Sequence, residues 1–435
     1  MEQMRAMDAL RTAQTSDACR VTRELLAELF GSDPPRTVGV RLCDGTRWPD
    51  DAPRRATLVL RHPGSLRAMF LPGTELGLGE AYLYDDFDIE GETESVFDLA
   101  DALTKALVTK RKTARLARDL LRLPPGADHQ RGRRGPARLT GRRHSRERDR
   151  QAVTFHYDVS NDFFALWLDR RMVYSCAYFH TADEDLDIAQ ERKLDYLCRK
   201  LRLQPGQRLL DLGCGWGGLV MFAAERYGVD ATGITLSEPQ ANLAQERIAA
   251  AGLSDRCRVR VQDYREVDDP DGYEALVSVG MFEHVGAKLL PAYFAQAFRL
   301  LRPGGVFLNH GIARRADEER PGPTFSGAYV FPDGELTPLN VALAAAEESG
   351  FEVRDVESLR EHYMLTLRQW VRRLEAHHAQ ALDYVDEPTY RVWRLYLSGS
   401  AYGFRVGRAN LYQTLLVRPN RGESGLPLTR GDWYA

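Results

Sequence analysis

The chain has 435 residues, enough for two domains and a sizeable core. A composition of 43% hydrophobic and 28% charged residues is that of a globular protein, and a formal net charge of -3 gives no overall argument for nucleic acid. No apolar run reaches the roughly 18 residues of a membrane-spanning helix, and the N-terminal "MEQMRAMDALRTAQTSDACR" lacks the apolar core of a signal peptide. Six cysteines (Cys19, Cys43, Cys176, Cys198, Cys214 and Cys257) are scattered without C-x-x-C spacing, so neither a disulfide framework nor a zinc site is expected. The expectation is a reducing, cytoplasmic setting.

In chain order, residues 1–120 read as a small α+β domain. "ATLVLRHPGSLRAMFLP" suggests strand, turn, strand, and "LGEAYLYDDFDIEGETESVFDLADALTKAL" a loop and an amphipathic helix. Tyr82, Tyr84 and Phe87 beside acidic residues match no catalytic pattern and are assigned to an aromatic core. Residues 121–150 are rich in Pro and Gly, with ten arginines against three acids, Asp128, Glu147 and Asp149. This reads as a basic flexible linker with a local charge near +7. Such a run is usually a solvated tether. Its functional reading is attraction to an anionic lipid surface, at about 1 kcal/mol per basic residue; no interleaved aromatics favour nucleic acid.

From residue 151 to 435, strands and helices alternate: "RLLDLGCGWGGL", "DATGITLS", "RVRVQDY", "YEALVSVGMFE" and "GGVFLNHGI", with "QANLAQERIAAAG" and "LLPAYFAQAFRLL" as intervening helices. That alternation predicts a mostly parallel sheet covered by helices on both faces, with ligands at the carboxyl ends of its strands. Asp211, Thr235, Asp263, Glu283 and His310 close those strands and are expected to face one crevice.

Gly213-x-Gly215-x-x-Gly218 fits a dinucleotide fingerprint literally, but the second strand ends without the acidic residue a nucleotide ribose needs. Asp211, just before the first glycine, would repel a pyrophosphate and welcome an ammonium group. S-adenosylmethionine carries one, and "DLGCGWGG" resembles the first motif of Rossmann-like methyltransferases. Ser237-Glu-Pro-Gln240 has capping-box spacing; Gln240 can also turn to a ribose. Asp263 is placed to accept from an adenine amino group, with Tyr264 stacking nearby.

"FHYDVSNDFFALWLDRRMVYSCAYF", "LDLGCGWGG", "GITLSEPQ", "MFEHVG", "FLNHGI" and "HYMLTLRQW" together resemble the cyclopropane-fatty-acyl-phospholipid synthase family, over about residues 151–420. "GSLRAMFLPGTELGLGEAYLYDD" is similar, less specifically, to the small N-terminal domain of its longer members. The resemblance implies an α/β fold, a Rossmann-like class I methyltransferase with a seven-stranded sheet. It implies transfer of a methylene group from S-adenosylmethionine to the cis double bond of an unsaturated phospholipid, through a carbocation that bound bicarbonate deprotonates. Carried over residue by residue, Cys176, Glu283, His310, Ile312 and Tyr363 hold that bicarbonate, Cys176 and Ile312 through the backbone. Tyr174, Ser175, Asp211, Gly213, Gly215, Thr235, Leu236, Gln240, Asp263 and Tyr264 hold the cofactor. His156 and Tyr157 belong to a segment closing over it, and His284 is structural.

Singly, these residues have ordinary readings. Cys176 between aromatics suits a core, and a lone histidine or tyrosine is more often packing than chemistry. The acyl chain needs an apolar tunnel, for which "FSGAYVFPDGELTPL" and "VWRLYLSGSAYGFRVGRANLYQTLLV" offer material. The lipid substrate implies peripheral association with the inner face of a membrane, through the linker or the N-terminal domain, and a homodimer is compatible with the long linker. Three competing readings stand: methylene- or methyl-branched products from the same cation, methylation of a small nitrogen or oxygen nucleophile, and a lipid-binding module without activity.

Overall fold

The computed structural model describes residues 2–31, 35–106, 110–126, 135–157, 159–318 and 322–434. It divides into two units: Met1–Pro136 with Pro321–Tyr329 and Asp386–Tyr402, and Ala137–Arg320 with Val330–Val385 and Gly403–Ala435. No helix among the described residues is long and apolar enough to cross a membrane.

The first unit has a four-stranded sheet of β1 (Val38–Arg41), β2 (Arg47–Trp48), β3 (Ala56–Leu60) and β4 (Phe87–Gly91), in the order β2-β1-β3-β4. Tyr82 and Phe87 are buried with ring centroids 5.7 Å apart. Arg391, from the later excursion, lies 5.1 Å over the Tyr82 ring and donates to its carbonyl at 2.8 Å, while Arg394 donates to the Tyr82 hydroxyl at 3.0 Å. A buried tyrosine hydroxyl needs such a partner. The Tyr84 hydroxyl meets that of Tyr329 at 3.2 Å, and Tyr329 donates to Glu80 at 2.8 Å.

The stretch read as a linker is not uniform. Residues 127–134 of it lie outside the described residues, but Arg146–Tyr157 form a helix that starts inside it. Arg143, Arg146 and Arg148 pair with Asp333, Glu266 and Asp333 respectively, so part of the basic charge is already neutralised within the second unit.

The second unit carries β5 (Arg208–Leu212), β6 (Asp230–Thr235), β7 (Cys257–Val261), β8 (Tyr273–Val279), β9 (Leu301–Arg314), β10 (Glu352–Ser358) and β11 (Ala409–Val417). They form one sheet in the order β10-β11-β9-β8-β5-β6-β7. Pairings from β7 through β9 are parallel, and β11 runs antiparallel to both β9 and β10. Chain order reverses between β5 and β8, which is where a doubly wound sheet opens a crevice. Alternation along each strand splits the core in two. Leu209, Ala275, Val277 and Leu308 enter one apolar cluster, and Leu210, Leu212, Leu276 and Phe307 the other.

In the first unit, Ser65–Phe70, read as the second strand of a strand–turn–strand, is a helix. The five strands read from sequence in the second unit all form. β10 and β11 were not among them. Residues 409–417, offered above as tunnel material, are instead an interior strand, and its Leu415 to Val417 are buried in the sheet. "FSGAYVFPDGELTPL" is divided as well: Phe325–Tyr329 is a helix of the first unit, and the chain returns to the second at Val330.

Leu276, fully buried in a central strand, sets the scale of core packing. Leu276→Ala should lower unfolding stability by about 2–5 kcal/mol through lost burial and the cavity left behind. Half-exposed Val341→Ala should stay within about 0.5 kcal/mol. Denaturant titration checks both.

Candidate active site

The carboxyl ends of β5, β6 and β8 surround an open cleft. After β5 the chain turns through Gly213 and Gly215, both at positive φ (100° and 54°), where side chains are strained. A Cβ on Gly213 would meet Met281 at 2.9 Å, whereas one on Gly215 would meet nothing and project into open space. Asp211 lines the floor. It is buried, its Oδ1 has no hydrogen-bond partner, and desolvation raises its pKa to about 7, opposed by the nearby Lys193 ammonium.

Thr235 closes β6. Its hydroxyl donates to Gln240 Oε1 at 2.8 Å and accepts from Ser237 N at 3.2 Å, and Ser237 Oγ caps Gln240 N at 3.3 Å. Only half of the expected capping box forms, because the Gln240 side chain turns to Thr235. Asp263 also lines the cleft, but its carboxylate is gripped by Arg265 at 2.8 and 2.5 Å, and Arg265 reaches Asp149 at 3.0 Å. All ten residues assigned above to the cofactor line this cleft. Of the closing pair Tyr157 does, whereas His156 is buried behind it, with Nδ1 on the Val330 carbonyl at 2.7 Å.

The segment Val173–Phe179 is neither helix nor strand, so its buried backbone groups need side-chain partners. Gln190 donates to the carbonyls of Val173 (3.2 Å) and Ser175 (2.8 Å). Ala177 N donates to Thr366 Oγ1 at 3.0 Å, and Lys193 donates to Ser175 Oγ at 2.9 Å. Lys193 is almost completely buried and lines the cleft, and its pKa falls to about 8 through desolvation. Its charge also acts on Cys176 and His310. Neither Lys193 nor Gln190 was picked out from sequence. The signal was a polar pair three residues apart on the helix face that buries Leu186, Ala189, Leu194 and Leu197.

The five residues assigned to the bicarbonate do not line the cleft, contrary to the expectation that Glu283 and His310 face it. Hydrogen bonding is the reason. Glu283 sits in a short 3-10 turn after β8, and its Oε1 accepts from Ile312 N at 2.6 Å. The N–H of Ile312, a residue assigned above to the bicarbonate through its backbone, donates here to Glu283. His310 Nδ1 faces Gln413 Nε2 at 3.3 Å. Two atoms of this group remain buried without partners, Glu283 Oε2 and His310 Nε2. Burial raises the Glu283 pKa to about 7 and holds His310 well below the usual histidine range. His310 and Ile312, two apart on β9, share one face of the strand. Cys176 and Tyr363 form a second group. The Cys176 thiol lies 3.8 Å from the Leu359 carbonyl, which also accepts from Tyr363 N at 3.0 Å, and burial pushes the thiol pKa up. Such a thiol is a poor nucleophile. His284, read as structural, lines the cleft with an unpartnered Nε2 and stacks on Phe331 at 4.4 Å.

The family model for mycolic acid cyclopropane synthetase matches residues 144–414, more than half of the chain. The chain belongs to this family. It is 41% identical over 400 residues to a Pseudomonas putida protein named "Probable fatty acid methyltransferase", covering 91% of this chain and 95% of that one. It is 39% identical over 275 residues to the cyclopropane-fatty-acyl-phospholipid synthase of Escherichia coli K12, covering 63% and 69%. The solved structure of a mycolic acid cyclopropane synthase complexed with SAH and CTAB superimposes with a TM-score of 0.58 at 38% identity, covering 61% of this chain and 97% of that one. The protein is an S-adenosylmethionine-dependent methyltransferase of the cyclopropane-synthase type, and the cleft fits that cofactor. Asp211 offers an unpaired carboxyl to an ammonium, Gly215 leaves room for close approach, and Thr235, Gln240 and Tyr264 line the rest.

Asp211 and Glu283 carry protons in the folded chain up to about pH 7, against ordinary values of 3.8 and 4.5. Between those limits these two groups bind more protons in the folded state than in the unfolded one, so their contribution to ligand-free stability falls as pH rises from about 4 to about 7. Asp211→Asn should flatten part of that slope while weakening S-adenosylhomocysteine binding at least about tenfold, through loss of a buried charge-assisted hydrogen bond. Denaturation at pH 5 and pH 8, with calorimetric titration, checks both effects.

Proposed function

We propose that this enzyme transfers a methylene group from S-adenosylmethionine to the cis double bond of an unsaturated phospholipid acyl chain, forming a cyclopropane. The carrying observation is the pair of buried, unpartnered atoms, Glu283 Oε2 and His310 Nε2, beside a cofactor cleft. An isolated olefin is a weak nucleophile, and its methylation leaves a cation that must lose a proton before the ring closes. S-adenosylmethionine supplies the electrophilic methyl group. The chain supplies burial that excludes water and polar groups able to hold a base. Once ionised, above about pH 7, a carboxyl with one free oxygen accepts from a hydroxyl, and a neutral imidazole N–H donates to an oxyanion. That donor–acceptor set suits bicarbonate, which would supply the base, with Glu283 and His310 as its holders and Cys176 and Tyr363 alongside. Lys193, whose charge reaches Asp211, Cys176 and His310, links the two regions electrostatically.

A second reading has the same olefin methylation end in a methylene- or methyl-branched chain. It is favoured by the long match to a relative named for fatty acid methylation. Membrane association on the inner face, through the basic segment or the first unit, belongs to the same proposal. So does action as a homodimer.

Incubation with S-adenosylmethionine and vesicles of a monounsaturated phospholipid should give fatty acids one CH2 heavier that resist mild hydrogenation. Uptake of hydrogen by the product would identify a methylene branch instead; a saturated methyl branch, a gain of CH2 plus two further hydrogens, would form only in a parallel incubation supplied with a hydride donor such as a reduced nicotinamide. Glu283→Gln places a donor where an acceptor is needed. Turnover should fall about 10²–10³-fold with S-adenosylhomocysteine binding unchanged. Equal loss of both would make Glu283 a cofactor or folding residue.

A further inference from the structure

A buried chain of polar side chains runs behind His310. Lys200, Gln413 and His310 are each 1% exposed or less. Lys200 Nζ lies 2.5 Å from Glu357 Oε2 and 2.9 Å from Gln413 Oε1, with Asp355 at 3.6 Å and the Tyr196 ring 4.5 Å away. Tyr196 donates to the same Glu357 oxygen at 2.8 Å. At the other end, Gln413 Nε2 lies 3.3 Å from His310 Nδ1. Gln413 and His310 are directly opposed on β11 and β9, so strand register fixes the pairing.

The chemistry of the groups decides every direction in this chain. An ammonium donates and cannot accept. The Gln413 atom facing Lys200 must therefore be its oxygen, and the atom facing His310 its NH2. An amide NH2 only donates, so His310 Nδ1 must accept. A neutral imidazole that accepts at Nδ1 carries its proton on Nε2, the atom left buried without a partner. The Lys200 ammonium also opposes a second proton on the ring.

We infer that Lys200 and Gln413 are positioning residues that hold His310 as the neutral Nε2–H tautomer and so set the polarity of the buried site beside Glu283. The inference rests on the reading of His310 as a group of the reaction site. Above about pH 7, where Glu283 is ionised, it presents an acceptor and His310 a donor. Reversal of the tautomer would set two acceptors against one ligand. The histidine would keep its place and lose its function.

The test is NMR of the full-length protein, saturated with S-adenosylhomocysteine and labelled with ¹⁵N in its histidine rings. There are ten histidines, and His310 is identified by the signal lost in His310→Ala. The expected two-bond ¹H–¹⁵N pattern is that of a neutral ring protonated at Nε2. Gln413→Glu, which accepts on both sides, should abolish that pattern and lower turnover about 10–100-fold while S-adenosylhomocysteine still binds. Gln413→Met, without either amide group, should give mixed tautomers and serves if the glutamate variant does not fold. A wild-type ring protonated at Nδ1, or an Nε2–H pattern unchanged in both variants, would overturn the relay. A tautomer that switches without loss of turnover would leave the relay standing and remove His310 from the reaction.

Discussion

The structure depends on a single constraint: ionisable groups are buried at the carboxyl end of a parallel sheet with fewer partners than they can take. A buried carboxyl without a full set of hydrogen bonds costs several kcal/mol. Asp211 and Glu283 each leave one oxygen unpaired, and His310 one ring nitrogen. That arrangement is tolerable in a folded chain because the surrounding sheet and helices over-determine it. β5, β8 and β9 are packed on both faces, and side chains brace the irregular segment at Cys176. Burial keeps the carboxyls partly protonated and the imidazole neutral, so the site holds donors and acceptors instead of fixed charges. Within such a low dielectric, the placement of each proton matters more than net charge.

The two regions separate by partner type. The cofactor cleft is an open crevice with glycine turns and one unpaired carboxyl, built for a cationic ligand of nucleoside size. The Glu283–Ile312–His310 group is held by hydrogen bonds from Ile312 and Gln413 and is not part of the cleft's lining. Lys193 is the element common to both. Its ammonium is held to Ser175 and acts electrostatically on Asp211 on one side and on His310 on the other.

Much of this was legible in the sequence. Apolar runs ending in Asp211, Thr235 and Asp263 announce strand ends, and the strand rule alone brings those residues to one crevice. What the sequence does not carry is side-chain direction past the strand end. Glu283 and His310 were read as closing their strands, but Glu283 lies in the turn beyond β8 and His310 lies inside β9, which continues to Arg314; one turns to the Ile312 N–H and the other to Gln413, and neither partner is close in sequence. β11 was missed because "ANLYQTLLV" is as apolar as a tunnel wall, and β10 because "EVRDVES" is a half-polar strand at the sheet's edge. Lys193 and Lys200 were missed because a lysine in a helix reads as solvated. Only the tertiary structure shows that both ammonium groups are buried and bonded.

The central claim is that Glu283 and His310 hold a small base that the polypeptide itself does not provide. The most direct measurement is turnover in buffer freed of carbon dioxide, with bicarbonate then added back at constant pH and ionic strength. The account predicts that activity falls in the depleted buffer and returns saturably with bicarbonate, while S-adenosylhomocysteine affinity does not change. Turnover indifferent to bicarbonate would contradict it and assign the proton to a group of the chain.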